Sequence, residues 1–131
     1  MPTAYDAEHH DPPAPVAWVT LLSPDGAQPQ TDVPLLMDTG ADVTLLPRWA
    51  IDSLGLSPES EEARYELAAF DGSTSVALAV RLSLVWLGKT FRGQFLVIDQ
   101  PQGILGRNIL NNVSLLLDGP RQEWELHSPK R

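Results

Sequence analysis

Leu35-Leu36-Met37-Asp38-Thr39-Gly40-Ala41-Asp42-Val43-Thr44-Leu45-Leu46 is the stretch on which the reading of the fold turns. A short apolar run delivers an aspartate into a loop that turns at Gly40, and a second apolar pair follows. Apolar runs this short, bounded by turn residues, read as strands. Asp38 therefore leaves a strand half-buried, where a carboxylate costs free energy unless hydrogen bonds or a paired charge compensate it. Taken alone, Asp-x-Gly is more often a turn aspartate that bonds its own backbone.

Outward from this loop the pattern is β. Ala17 to Leu22 reads as a strand, Ser23-Pro24-Asp25-Gly26 as a turn, and Val33 to Met37 as the strand into the loop. Pro47 suits the start of a short helix, Arg48 to Leu54, with Gly55 as its stop. Arg64 to Leu87 reads as a long hairpin with Phe70-Asp71-Gly72-Ser73 at its tip, followed by a tight turn at Gly88-Lys89 and a strand from Thr90 to Ile98. A brief helical segment, Arg107 to Asn112, precedes a closing hairpin, Val113 to Leu117 with Glu123 to Leu126, joined at Asp118-Gly119-Pro120-Arg121. This predicts a small all-β barrel or sandwich with one or two short helices. Residues 1–15 are polar, aperiodic and proline-bearing, and read as a flexible arm; 16–127 form one domain and 128–131 a tail. His9-His10 beside Asp11 lacks further ligands nearby and reads as solvated.

Composition narrows the function. With 131 residues the chain suffices for one domain with a real core, and a hydrophobic fraction of 43% is ordinary for a globular protein. The absence of cysteine excludes disulfides, thiolate nucleophiles and cysteine zinc sites. A net charge of −8 argues against a nucleic-acid partner, which requires a basic face. No apolar run is long enough for a membrane helix, so no membrane partner is expected and the expected setting is the cytoplasm. No cofactor or metal is expected. Ser, His and Asp are all present, but no Gly-x-Ser-x-Gly elbow places them on a hydrolase turn.

Met37 to Leu46 resembles the active-site loop of the retropepsin-like (retroviral-type) aspartic proteases. Gly103-Ile104-Leu105-Gly106-Arg107-Asn108-Ile109-Leu110 resembles the second hallmark of that family, with a hairpin between the two where the family keeps its flap. The resemblance covers roughly Ala17 to Leu126 and implies the acid-protease β-barrel with one flap hairpin per subunit. It also implies roles. Asp38 would be the catalytic carboxylate; Thr39 would bond the partner chain's loop across a two-fold axis; Gly40 would meet substrate backbone. Asp42 would pair with Arg107 and help hold the substrate main chain, with Phe70, Asp71 and Gly72 closing over it. Two features differ from the viral pattern: the flap tip holds less glycine, and the chain continues past the helix into a hairpin.

The family's chemistry hydrolyses peptide bonds with two carboxylates that share one proton, and this chain has one Asp-Thr-Gly. A two-fold homodimer would supply the second, acting on peptide or protein substrates. The competing reading is a catalytically silent dimerisation or peptide-binding module with the same fold, although such a scaffold has no physical need of an intact Asp-Thr-Gly. One proton held between two like charges predicts a bell-shaped pH–rate profile centred on the acid side of neutrality. With 17 acidic and nine basic residues, repulsion between subunits should weaken association as pH rises, and high salt should restore activity near neutral pH. Rates measured across pH at low and high salt, with sedimentation in parallel, check this; a flat, salt-indifferent profile would contradict it.

Overall fold

A computed structural model describes residues 1–26, 28–56, 64–68 and 74–128, and at 64–68 and 74–77 the backbone alone. In chain order these form β1 (Thr3–Ala4), β2 (Val16–Leu22), β3 (Pro29–Met37), β4 (Leu45–Pro47), α1 (Arg48–Ser53), β5 (Arg64–Ala68), β6 (Thr74–Trp86), β7 (Lys89–Ile98), β8 (Gly103–Leu105), α2 (Arg107–Leu110), β9 (Leu115–Asp118) and β10 (Glu123–Leu126). The choice between barrel and sandwich is resolved by pairing. The strands run β2-β3-β8-β4-β7-β6, and β6 pairs back onto β2, closing a six-stranded barrel. β5 lies outside β6 as the first arm of the expected hairpin, with Ala68 opposite Thr74. The expected flap tip, Phe70-Asp71-Gly72, lies outside the described residues.

Alternation fills the barrel. Ala17, Val19 and Leu21 of β2 point inward while Trp18 points out, and Val80, Leu82, Leu84 and Trp86 repeat the period on β6. Val33 and Leu35 of β3, Phe95 and Val97 of β7, and Leu46, Ile51, Leu105 and Ile109 complete one cluster. Truncating one such leucine or isoleucine to alanine typically costs about 2–5 kcal/mol. Pro47 stands at the N-cap of α1, and Gly55 (φ +72°) stops the helix. There the Gly55 N–H donates to the Asp52 carbonyl (3.0 Å) and the Leu56 N–H to the Ile51 carbonyl (3.2 Å), a glycine C-terminal motif that satisfies two orphan acceptors. The tight turn after β6 is Leu87-Gly88 rather than Gly88-Lys89, because Trp86 pairs with Lys89. Both turn residues have positive φ (51° and 76°), the geometry that matches hairpin twist.

The first fifteen residues, expected as a flexible arm, are tied to the body. β1 pairs with β10, Thr3 opposite Trp124, and β10 pairs with β9, forming a second sheet of order β1-β10-β9. The Tyr5 N–H donates to the Gln122 carbonyl at 2.8 Å, and Asp6 and Ala14 exchange backbone hydrogen bonds at 2.8 and 3.2 Å. Trp124 fixes this sheet to the barrel: its indole N–H donates to the Val16 carbonyl (3.1 Å) and its ring lies 5.8 Å from that of Trp86. A two-residue strand carries no period, so composition alone gave no sign of it. Of the expected tail, 128–131, only Ser128 is among the described residues. Among the described residues no helix is long and apolar enough to cross a membrane.

The Asp6 carboxylate organises the N-terminal loop. Gln102 Nε2 donates to Oδ2 at 2.8 Å, the Glu8 and His9 N–H groups donate to Oδ1 at 2.9 and 3.1 Å, and His9 Nδ1 lies 3.0 Å from Oδ2. Burial pushes this carboxyl up, but the hydrogen bonds from Gln102, His9 and Glu8 outweigh it and lower it from 3.8 to about 2. A carboxyl lowered on folding binds its proton more readily in the unfolded chain. The stability it contributes is therefore complete above pH 3.8 and is lost as pH falls from there through about 2. Denaturant midpoints of the wild type and Asp6→Asn, followed from pH 5 to pH 2, should converge as pH falls; a constant gap would show that Asp6 does not titrate this way.

Candidate active site

β3 and β8 run parallel, Leu35 beside Gly103, Leu36 beside Ile104 and Met37 beside Leu105. The Asp38 N–H extends that ladder to the Leu105 carbonyl (3.0 Å), which holds Asp38 at the mouth of the barrel. The chain then turns: the Ala41 N–H donates to the Asp38 carbonyl (3.1 Å) and the Gly40 N–H to Asp38 Oδ1 (2.9 Å). One carboxylate oxygen is thus oriented by its own loop. A Cβ at Gly40 would stand 3.1 Å from Asp38 Oδ1, tight enough to disturb that contact. Asp38 is half-buried, while Thr39, Gly40 and Asp42 are exposed. The self-bonding of an ordinary turn aspartate is therefore present, and the surrounding structure is what sets Asp38 apart.

That surrounding is the segment Gly103 to Asn108, packed hard against the Asp38 loop. A Cβ at Gly106 would overlap the Val43 carbonyl, and one at Gly103 the Leu45 carbonyl. Only glycine admits backbones at this separation. Thr44, 1% exposed, ties the two segments: its hydroxyl donates to Asn108 Oδ1 (2.7 Å) and accepts from the Gly106 N–H (3.1 Å). The Arg107 N–H donates to the Ala41 carbonyl at 2.8 Å. The side chains of Thr44 and Asn108 carry this junction, yet the sequence assigned them no role. The available signal was a threonine between Val43 and Leu45 in an otherwise apolar run.

The expected ion pair is not formed. Among the described residues no ion pair within 4.0 Å joins Asp42 to Arg107, whereas His9 pairs with Asp6 and Arg121 with Asp118. Arg107 Nη1 instead donates to the Thr39 carbonyl at 2.7 Å. Both Asp42 and Arg107 are exposed, so water competes for the charges, and the nearer backbone carbonyl takes the guanidinium. Asp38, Thr39, Gly40 and Arg107 are thus gathered into one loop junction, with Asp42 beside it in sequence.

The aspartyl protease family profile matches residues 25–109, spanning both halves of this junction. The chain belongs to the aspartyl protease family. A solved structure of equine infectious anaemia virus (EIAV) protease with the inhibitor HBY-793 matches with a TM-score of 0.57 at 23% identity, covering 84% of this chain and 93% of that one. At that identity the likeness speaks for the fold, and the fold is retropepsin-like. No curated protein sequence matches the chain significantly. Family and fold are those of a protease.

The junction makes a stability prediction. Gly106→Ala should destabilise by more than about 3 kcal/mol, since the added carbon meets backbone that cannot move aside. Arg107→Ala should cost about 1 kcal/mol, the net worth of one hydrogen bond, and Asp42→Ala less. Because no ion pair links them, the Asp42→Ala/Arg107→Ala double variant should be additive in denaturant melts; a coupling above about 1 kcal/mol would show that the pair exists.

Proposed function

We propose that the protein is an aspartic endopeptidase whose site is completed by a second copy of the chain. One observation carries this: Asp38 sits at a strand end, one oxygen held by the Gly40 N–H, in a loop locked to Gly106 and Arg107. Two such carboxylates facing across a two-fold axis would share one proton. The ionised one takes a proton from water as the oxygen bonds the peptide carbonyl carbon, while the protonated one gives its proton to the carbonyl oxygen. Proton return to the amide nitrogen then lets the C–N bond break, releasing an acid and an amine. Thr39 and Gly40, exposed at the loop tip, are free to meet the partner loop and the substrate backbone, and Asp42 to bind substrate main chain.

The terminal sheet supports pairing. β9 forms its edge, and Leu116 and Leu117 on that edge are 47% and 51% exposed, as is Leu126 of β10 at 47%. An edge strand with exposed leucines is a template for another strand, and a second β9 would cover it symmetrically. A chain without cysteine suits the reducing cytoplasm, which is the setting we propose.

Digestion of a diverse peptide library by the wild type and by Asp38→Asn, with sedimentation at micromolar concentration, tests this. The wild type should be a dimer that cleaves. Asp38→Asn should remain a folded dimer and lose cleavage to background, and Leu117→Glu should lose dimer and cleavage together. A monomer that cleaves, or Asp38→Asn cutting at the wild-type rate, would refute the mechanism.

A further inference from the structure

A cavity of about 490 Å³ opens at the end of the barrel away from Asp38. On one side stands the turn after β2, Ser23 to Gly26, and on the other lie Arg81, Leu82 and Ser83 of β6 with Arg92 and Gly93 of β7. β2 and β3 meet here, Leu22 beside Pro29, and β3 runs its nine residues before the chain reaches Asp38. At about 3.3 Å per residue, that puts the cavity roughly 30 Å from the carboxylate.

Register decides which side chains share the cavity. Ser83 lies opposite Arg92, Arg81 opposite Gln94, and Leu82 opposite Gly93. Paired residues share a face and alternate residues return to it, so Arg81, Ser83 and Arg92 stand together on the outside of the barrel. Arg81 and Arg92 are diagonal neighbours, both exposed, and like charges so placed repel. Among the described residues no ion pair within 4.0 Å involves either guanidinium. Asp25 also lines the cavity, but its Oδ1 accepts the Ser23 hydroxyl within its own turn. In a chain of net charge −8 with nine basic residues, two arginines side by side without a carboxylate partner run against the composition.

Gly93 makes the room. Its φ of +153° is backbone that glycine alone adopts readily, and a Cβ there would meet no atom within 4 Å. Glycine inside a strand weakens it, and marks a place where another group comes close to the backbone.

We propose that this cavity binds a small phosphate-bearing anion: the Arg81 and Arg92 guanidinia share the phosphate oxygens, the Ser83 hydroxyl donates to them, and Leu22 lies beside the ligand's carbon body. A guanidinium is a planar fork of donors that meets phosphate oxygens two at a time. Two forks on one face suit a group with three or more free oxygens better than a single carboxylate. The volume falls within the roughly 300–1,000 Å³ of small-molecule sites. Binding would also remove the repulsion between the arginines. None of this depends on the peptidase reading.

Inorganic pyrophosphate is the probe, titrated at constant ionic strength into the full-length wild type, Arg81→Gln, Arg92→Gln and Arg121→Gln, with calorimetry and NMR amide shifts as readouts. The wild type should take up one pyrophosphate per chain, with shifts centred on residues 22–26, 81–83 and 92–93. Arg81→Gln and Arg92→Gln should each weaken binding by about tenfold or more, the loss of one charge-assisted hydrogen bond. Arg121→Gln removes the same charge from the turn between β9 and β10 and should bind as the wild type does. Equal weakening by all three variants would reveal attraction to net charge only and would overturn the site. Shifts centred elsewhere, or no saturation, would overturn it as well. Succinate and hexaglutamate are titrated in parallel. Tighter binding of succinate would overturn the choice of phosphate, and tighter binding of hexaglutamate would put an acidic protein segment in place of the small ligand.

Discussion

Two backbone segments, 38–44 and 103–108, approach each other at the mouth of the barrel so closely that the Val43 and Leu45 carbonyls occupy the space that side chains at Gly106 and Gly103 would need. This approach aligns β3 with β8, brings the Asp38 N–H to the Leu105 carbonyl, and lets the Thr44 hydroxyl reach both Gly106 and Asn108. Buried polar groups are costly unless bonded, and here each finds a partner in the opposite segment. The orientation of Asp38 follows from that junction. A half-buried carboxylate that had to find its own geometry would lose it to water. This one has its backbone held on one side by β8 and one oxygen held on the other by Gly40.

The barrel supplies rigidity to this junction. Six strands close on themselves, so the Asp38 loop grows from a structure with alternating inward side chains on β2, β3, β6 and β7. The terminal sheet is built differently. β1, β10 and β9 come from one chain, docked through Trp124, and leave a leucine-rich edge exposed. In the homodimer proposed above, a symmetric copy would supply the second carboxylate and cover the leucine-rich β9 edge together.

Polar chemistry is concentrated where the N-terminal loop meets the turn 99–102. Asp6, Gln102 and His10 form a linear relay in which each bond determines the direction of the next. Networks of this kind specify one arrangement rather than adding much stability, because each group exchanges water for protein. The contrast with Asp42 and Arg107 is instructive. Those charges are exposed, gain little from each other, and part company when a backbone carbonyl is nearer.

The sequence by itself determined what is local: the strand that delivers Asp38, the turn at Gly40, the helix between Pro47 and Gly55, and the order of both hallmark segments. Such features depend on neighbours a few residues away, where period and turn chemistry are decisive. Tertiary structure alone decided barrel over sandwich, the pairing of β1 with β10, the Thr44–Asn108 tie, the choice of the Thr39 carbonyl by Arg107, and the docking of Asp6 on Gln102. In each of these the partners lie far apart in the chain. Two residues of β1 carry no period, and a polar side chain such as Gln102 reads as solvated until its neighbour is known. Long-range pairing depends on which surfaces packing brings together, and that information is spread over the whole core rather than written at the residues that meet.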